Sequence, residues 1–162
     1  MDARAQHRPP AGLNGGLGCN NFGSRIDLGR AKEVVAAALD AGITLFDTAD
    51  VYGRDGASEE MLGEALDGRR NQVLVATKYG RPMGDDPAQA GASARWTERA
   101  LEASLRRLST DHIDLYQLHY PDDATPIGET LEALGRCVLP AGSGPADRQV
   151  PGHRPRRCLR GR

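Results

Sequence analysis

The sequence predicts an α/β fold of the parallel-sheet or barrel type, and three observations carry that reading. From residue 16 to residue 134, short strand-like segments alternate with longer helix-like ones, in the repeated order βα. The run VLVAT at 73–77 is continuously apolar or β-branched, as expected of a strand covered on both faces. The ends, residues 1–15 and 137–162, have no apolar period and cannot bury a face, so the folded part lies between them.

Each element has a local reason. Residues 17–19 read as a first strand. Asp27 offers an N-cap before LGRAKEVVAAALD, in which Ala31, Val34, Val35, Ala38 and Leu39 make one helical stripe, and Gly42 is placed to end that helix. Residues 43–46 form the second strand. Ser58 is the expected cap of a second helix whose apolar face is Met61, Leu62, Ala65 and Leu66, and Asp67 and Gly68 make the turn into the third strand. After a polar loop with Pro82, Gly84 and Pro87, RWTERALEASLRRL puts Leu101, Leu105 and Leu108 at helical spacing. The run HIDLYQLH, 112–119, alternates Ile113, Leu115 and Gln117 with Asp114, Tyr116 and Leu118, as a strand does. Thr125 and Pro126 read as N-cap and first position of a fourth helix, which runs through TLEAL and is expected to stop there.

Composition narrows the class of molecule. A hydrophobic fraction of 39% over 162 residues is enough for one globular domain. There is no run of eighteen apolar residues and no charged-then-apolar leader, so the expectation is a cytoplasmic protein with no membrane partner. A net charge of −1 gives no reason to expect a nucleic-acid partner, although residues 137–162 carry six arginines against one aspartate. Cys19, Cys137 and Cys158 are odd in number and lack metal-ligand spacing, which argues against a disulfide framework and a zinc site; no metal is expected. Only Lys32 and Lys78 of the 21 basic residues are lysines, so a lysine near a strand end draws notice.

In parallel α/β architectures the C-terminal strand ends open on one side, where loops build the active site. The second strand delivers Asp47 there, with Tyr52 five residues on; the third delivers Lys78 and the fourth His119. A phenol is a weak acid at neutral pH, but an ammonium within about 4–6 Å favours its anion. Asp47 would hold Lys78 charged and in place, and a neutral histidine can hydrogen-bond an oxygen on which negative charge develops. Such a set suits protonation of an oxygen while a cofactor delivers hydride to the carbon, since no side chain supplies hydride. Taken singly, each residue also has a plain structural role: Asp47 as a turn cap, Tyr52 as a rim residue, Lys78 as a solvated charge, His119 as a backbone-bonded strand end. Their joint arrival at successive strand ends favours the site. Asp50 reads as a turn residue. A metal hydrolase using His112, Asp114 and His119 is disfavoured, because His112 and His119 are seven residues apart on one strand and face opposite sides.

Four stretches in this order and spacing, GITLFDTADVYG, SEEMLGEAL, VLVATKYG and LRRLSTDHIDLYQLH, resemble the aldo-keto reductases, and GLGCNNFG at 16–23 fits that family's first strand and loop. The resemblance spans roughly residues 16–134. It implies a (β/α)8 TIM-barrel type fold with about the first four βα units present. It also implies NADPH as cofactor, a small-molecule aldehyde or ketone as substrate, and reduction to the alcohol. By position, the family's tetrad falls on Asp47, Tyr52, Lys78 and His119, with Tyr52 as general acid, Lys78 and Asp47 tuning it, and His119 orienting the carbonyl. Cofactor contacts are implied for Asp47, Asn21 and Phe22, and most of the others for strands five to eight of the family's barrel.

The domain organisation expected is an irregular segment at 1–15, a partial barrel at 16–136 and a basic tail at 137–162. The tail's Arg, Pro, Gly and Ala, with no Lys or Glu, match GC-rich coding DNA read in a shifted frame. A partial barrel has two open sheet edges, so self-association and weak or absent activity are expected. A non-catalytic, nucleotide-sensing regulatory module of the same fold is the alternative function.

Overall fold

The computed structural model describes residues 15–138 apart from 85 and 87, so nearly all of the expected head segment and the tail from 139 onward lie outside the described residues. Strands β1 (Gly16–Gly18), β2 (Leu45–Asp47), β3 (Leu74–Tyr79) and β4 (Leu115–Leu118) form one sheet in the order β1-β2-β3-β4, every pair parallel. They are followed in turn by α1 (Leu28–Asp40), α2 (Ala57–Ala65), α3 (Ala94–Arg107) and α4 (Ile127–Val138), with a single 3-10 turn at Arg70–Gln72 before β3. The fold is therefore α/β, with four consecutive βα units. Because the strands are parallel, the loops after Gly18, Asp47, Tyr79 and Leu118 all leave from one side.

One face of the sheet packs on α1 and α2 through Phe46, Val75, Val35, Leu62 and Leu66, with Cys19 and Phe22 from the first loop, all at most 2% exposed. Each such side chain contributes about 1.5–3 kcal/mol by leaving water. A second cluster joins Tyr79 and Met83 to Trp96 and Ala100 of α3. The Asp27 carboxylate caps α1 as expected, accepting the Arg30 N–H at 2.9 Å.

Three local expectations are corrected. Ser58 does not cap α2: the N-cap is Gly56, because Arg54, Asp55 and Gly56 all turn through the left-handed region (φ 64°, 55° and 97°) and start the helix earlier. The Ser58 hydroxyl is instead buried, hydrogen-bonded with Thr48 Oγ1 at 2.9 Å and donating to the Cys19 carbonyl at 2.8 Å. Helix α4 begins at Ile127, with the Pro126 carbonyl accepting the Thr130 N–H, while Thr125 Oγ1 donates to Asp122 Oδ2 at 2.7 Å rather than capping. It continues past TLEAL to Val138, two residues into the expected tail; Gly135 costs a helix only about 1 kcal/mol, and Leu134 still packs on the Tyr79 cluster. Finally, β4 is shorter than residues 112–119. The Asp114 carboxylate accepts the Val75 N–H at 2.8 Å and binds Arg70 at 2.6 Å, which diverts that N–H from the ladder, while the Asp114 N–H still donates to the Val75 carbonyl at 3.1 Å. The other strand ends differ by a residue or two, and β3 runs on to include Lys78 and Tyr79.

Candidate active site

The rim of the sheet is built from the strand register. Asp47, the last residue of β2, pairs with Ala76 of β3, and Lys78, two residues further along, projects from the same face as Ala76. The Lys78 ammonium donates to both Asp47 carboxylate oxygens at 2.7 Å and to the Thr48 carbonyl at 2.9 Å. All three of its protons are thus engaged. Asp47 keeps 41% of its side-chain surface exposed while bound, whereas Lys78 keeps 17%.

The turn after β2 is tied to the same strand end. The Thr48 N–H donates to the Ala76 carbonyl at 2.9 Å and the Asp50 N–H to the Lys78 carbonyl at 3.0 Å, so the segment between Asp47 and Tyr52 follows β3. Tyr52 is half-buried at the end of this turn, its N–H donating to Ala49 at 3.1 Å. Gly53 follows at φ 73°, and a Cβ there would clash with the Phe22 carbonyl and the Ser58 amide; only glycine permits this close crossing of the first two loops. The Lys78 Nζ lies 5.3 Å from the centre of the Tyr52 ring. His119, one residue beyond β4, is held by its N–H bond to the Tyr79 carbonyl at 2.8 Å, and its ring meets Tyr52 edge-on at 5.6 Å and 83°.

Burial, then the Lys78 and Arg81 charges, hold His119 below its ordinary range, so the imidazole is neutral at pH 7. Its Nδ1 is buried without a hydrogen-bond partner among the described residues. Asp47, Tyr52, Lys78 and His119 are therefore brought into one continuous cluster. Asn21 is exposed at the first loop; Phe22 is 2% exposed and packs its ring in the core, so what it offers the rim is backbone. His112 lies at the other end of β4, with its Nδ1 2.8 Å from Asp111, and no group of three or more His, Cys, Asp or Glu able to hold a metal is found among the described residues.

Two features of the rim were not foreseen from the sequence. Asp50 belongs to the turn, as expected, but its carboxyl group is fully buried with neither oxygen hydrogen-bonded among the described residues. Burial first, then the neighbouring Glu59, pushes it up to about 7. Tyr120 stacks on His119 at 5.2 Å and 18°; its place next to His119 in the chain was the one available signal.

The sequence profile described as the Aldo/keto reductase family matches residues 16–142. The chain belongs to the aldo/keto reductase family. Among the relatives of this aldo/keto reductase chain, the aldo-keto reductase YhdN of Bacillus subtilis is 46% identical over 63% of this chain and 31% of its own length. A probable voltage-gated potassium channel subunit beta of Oryza sativa is 39% identical over 72% of this chain and 36% of its own. Among solved structures, the holo form of the aldo-keto reductase AKR11C1 from Bacillus halodurans superposes with a TM-score of 0.67 at 40% identity, over 74% of this chain and 40% of that one. The chain thus spans roughly a third of the length of its curated relatives, 31% and 36% for the two named. No helix among the described residues is long and apolar enough to cross a membrane.

Proposed function

We propose that this chain carries the proton-donating part of an NADPH-dependent carbonyl reductase, acting on small aldehydes or ketones. The observation that carries the reading is the unbroken cluster Asp47, Lys78, Tyr52 and His119 at one strand rim. A neutral His119 donates a hydrogen bond to the carbonyl oxygen and orients it toward Tyr52. The Tyr52 O–H bond then breaks as its proton passes to that oxygen, and the negative charge left on the phenolate faces the Lys78 ammonium. Asp47 and the Thr48 carbonyl keep that ammonium from swinging away. NADPH, when bound, supplies the hydride that the carbonyl carbon receives.

The residues present fit the sugar end of such a nucleotide. The part-exposed Asp47 carboxylate can accept from ribose hydroxyls, and the exposed Asn21 amide can both donate and accept. Phe22 fits only through its backbone. Because the chain covers roughly a third of its relatives' length, turnover is expected to be weak. The test is aldehyde-dependent NADPH oxidation by the purified chain: Tyr52→Phe should lower whatever rate is measured by about 10²–10⁴-fold, the range for loss of a general acid. A variant as fast as the parent would overturn the role of Tyr52.

A second reading, a nucleotide-sensing regulatory module, is favoured by the likeness to the potassium channel subunit beta. Saturable NADPH binding with no turnover of any simple aldehyde would select it.

A further inference from the structure

Beyond Lys78 the chain turns sharply. Gly80, at φ 104°, sits where a Cβ would press on the Leu118 side chain, and its carbonyl accepts the Gly91 N–H at 2.9 Å. This pinned turn brings the next residue, Arg81, from the end of β3 across to the end of β4. Its guanidinium carbon lies 5.2 Å from the centre of the Tyr120 ring, and that ring stacks on His119 at 5.2 Å. Guanidinium, phenol and imidazole thus form three layers leading inward to the residue assigned to the carbonyl.

The guanidinium lies over the ring at a distance that suits a cation–π contact. That contact uses the charge and no acceptor oxygen, so N–H donors remain to take a carboxylate or phosphate. Among the described residues Arg81 is exposed, and no carboxylate pairs with it. Asp50, the acid that feels its charge, is fully buried, and neither of its oxygens takes a hydrogen bond from the guanidinium. Tyr120 is itself 57% exposed, which leaves the stack open to solvent.

We propose that Arg81, carried on Tyr120, is an anion subsite, and that the carbonyl compounds it selects bear a carboxylate or phosphate two stacking layers from the reacting carbonyl. This rests on the carbonyl-reductase reading and names its substrate class. A neutral aldehyde of the same size leaves the guanidinium edge to water, so discrimination comes from the charge alone.

The test is binding without turnover. The full 162-residue chain is titrated at low salt with benzaldehyde, 4-carboxybenzaldehyde and 4-formylphenyl phosphate, following the His119 and Tyr120 ring resonances. At least one charged probe should bind about 5–10-fold more tightly than benzaldehyde, as one charge-assisted contact allows; the larger gain tells whether carboxylate or phosphate is preferred. That gain should vanish in Arg81→Met with benzaldehyde affinity unchanged, persist in part in Arg81→Lys, and shrink as salt is raised. Equal affinity for charged and neutral probes, a gain that survives Arg81→Met, or no binding of any probe would each overturn the subsite. NADPH oxidation by the parent and by Tyr52→Phe, scored separately, keeps the two readings apart: charge preference with turnover that Tyr52→Phe leaves unchanged sinks the reductase reading and retains the subsite, whereas Tyr52-dependent turnover without preference does the reverse.

Discussion

Three protons on the Lys78 ammonium meet three acceptors, two from Asp47 and one from the Thr48 backbone, and this fixes a positive charge beside Tyr52 and His119. After burial, that charge is the largest influence holding His119 below its ordinary range, and Asp47 opposes it. Lys78→Met should therefore raise the His119 pKa, read from its ring proton shifts against pH; a value that stays or falls would contradict this electrostatic account. Asp50 gives a stability prediction of definite sign. Its folded pKa, about 7, lies above the ordinary 3.8, so the folded state holds a proton that the unfolded chain gives up between those values. Stability from this group is fully present below pH 3.8, declines as pH rises toward 7, and is gone above it. The groups facing it are Glu59, which raises its pKa, and Arg107 and Arg81, which lower it; the half-buried Tyr116 lies within reach of its charge. Asp50→Asn removes the titration, so relative to the parent it should gain roughly 2–4 kcal/mol in urea unfolding between pH 4 and pH 8. An unchanged difference between the two pH values would refute it.

At the scale of elements, α2 and α3 approach more closely than helix propensity alone would suggest. Gly63 lies inside α2, where alanine ordinarily stabilises by about 0.5–1 kcal/mol. Here a Cβ would fall 2.6 Å from the Leu108 carbonyl oxygen and 2.7 Å from its carbon, backbone atoms at the end of α3 that cannot rotate away. Gly63→Ala should accordingly destabilise by about 1–3 kcal/mol, the cost of overpacking, measured as a lower urea midpoint with unchanged slope. Stabilisation would show that α3 yields. The same contact region holds the buried Glu59, bound to Thr77 at 2.6 Å and to Arg107 at 2.7 Å, which joins α2, β3 and α3 through one carboxylate.

For the whole molecule, β1 and β4 are the outer strands of the sheet, each paired on one side among the described residues. Leu115 on β4 is 50% exposed, and Ile127 and Leu131 on α4 are 67% and 60% exposed. Unpaired parallel edges beside apolar surface favour association. The sedimentation coefficient should therefore rise with protein concentration, and Ile127→Lys with Leu131→Lys should reduce that rise. A concentration-independent monomer in the parent chain would dismiss the expectation.

The βα order, the Asp27 cap and the delivery of Asp47, Lys78 and His119 to strand ends were legible in the sequence by itself, because apolar period, capping and strand ends are local properties of a few neighbouring residues. The stretches GITLFDTADVYG, SEEMLGEAL, VLVATKYG and LRRLSTDHIDLYQLH together indicated the family that the profile over residues 16–142 shows. Tertiary structure decided the rest. Ser58, a good cap by type, gave its hydroxyl to Thr48 and Cys19 from two other segments. Asp50 became a buried acid, and Arg81 came to lie over Tyr120, only once the β3 and β4 ends were set side by side. Local pattern says which face of an element is apolar; which polar groups meet across elements depends on register and on the turns between them, and those are set by packing.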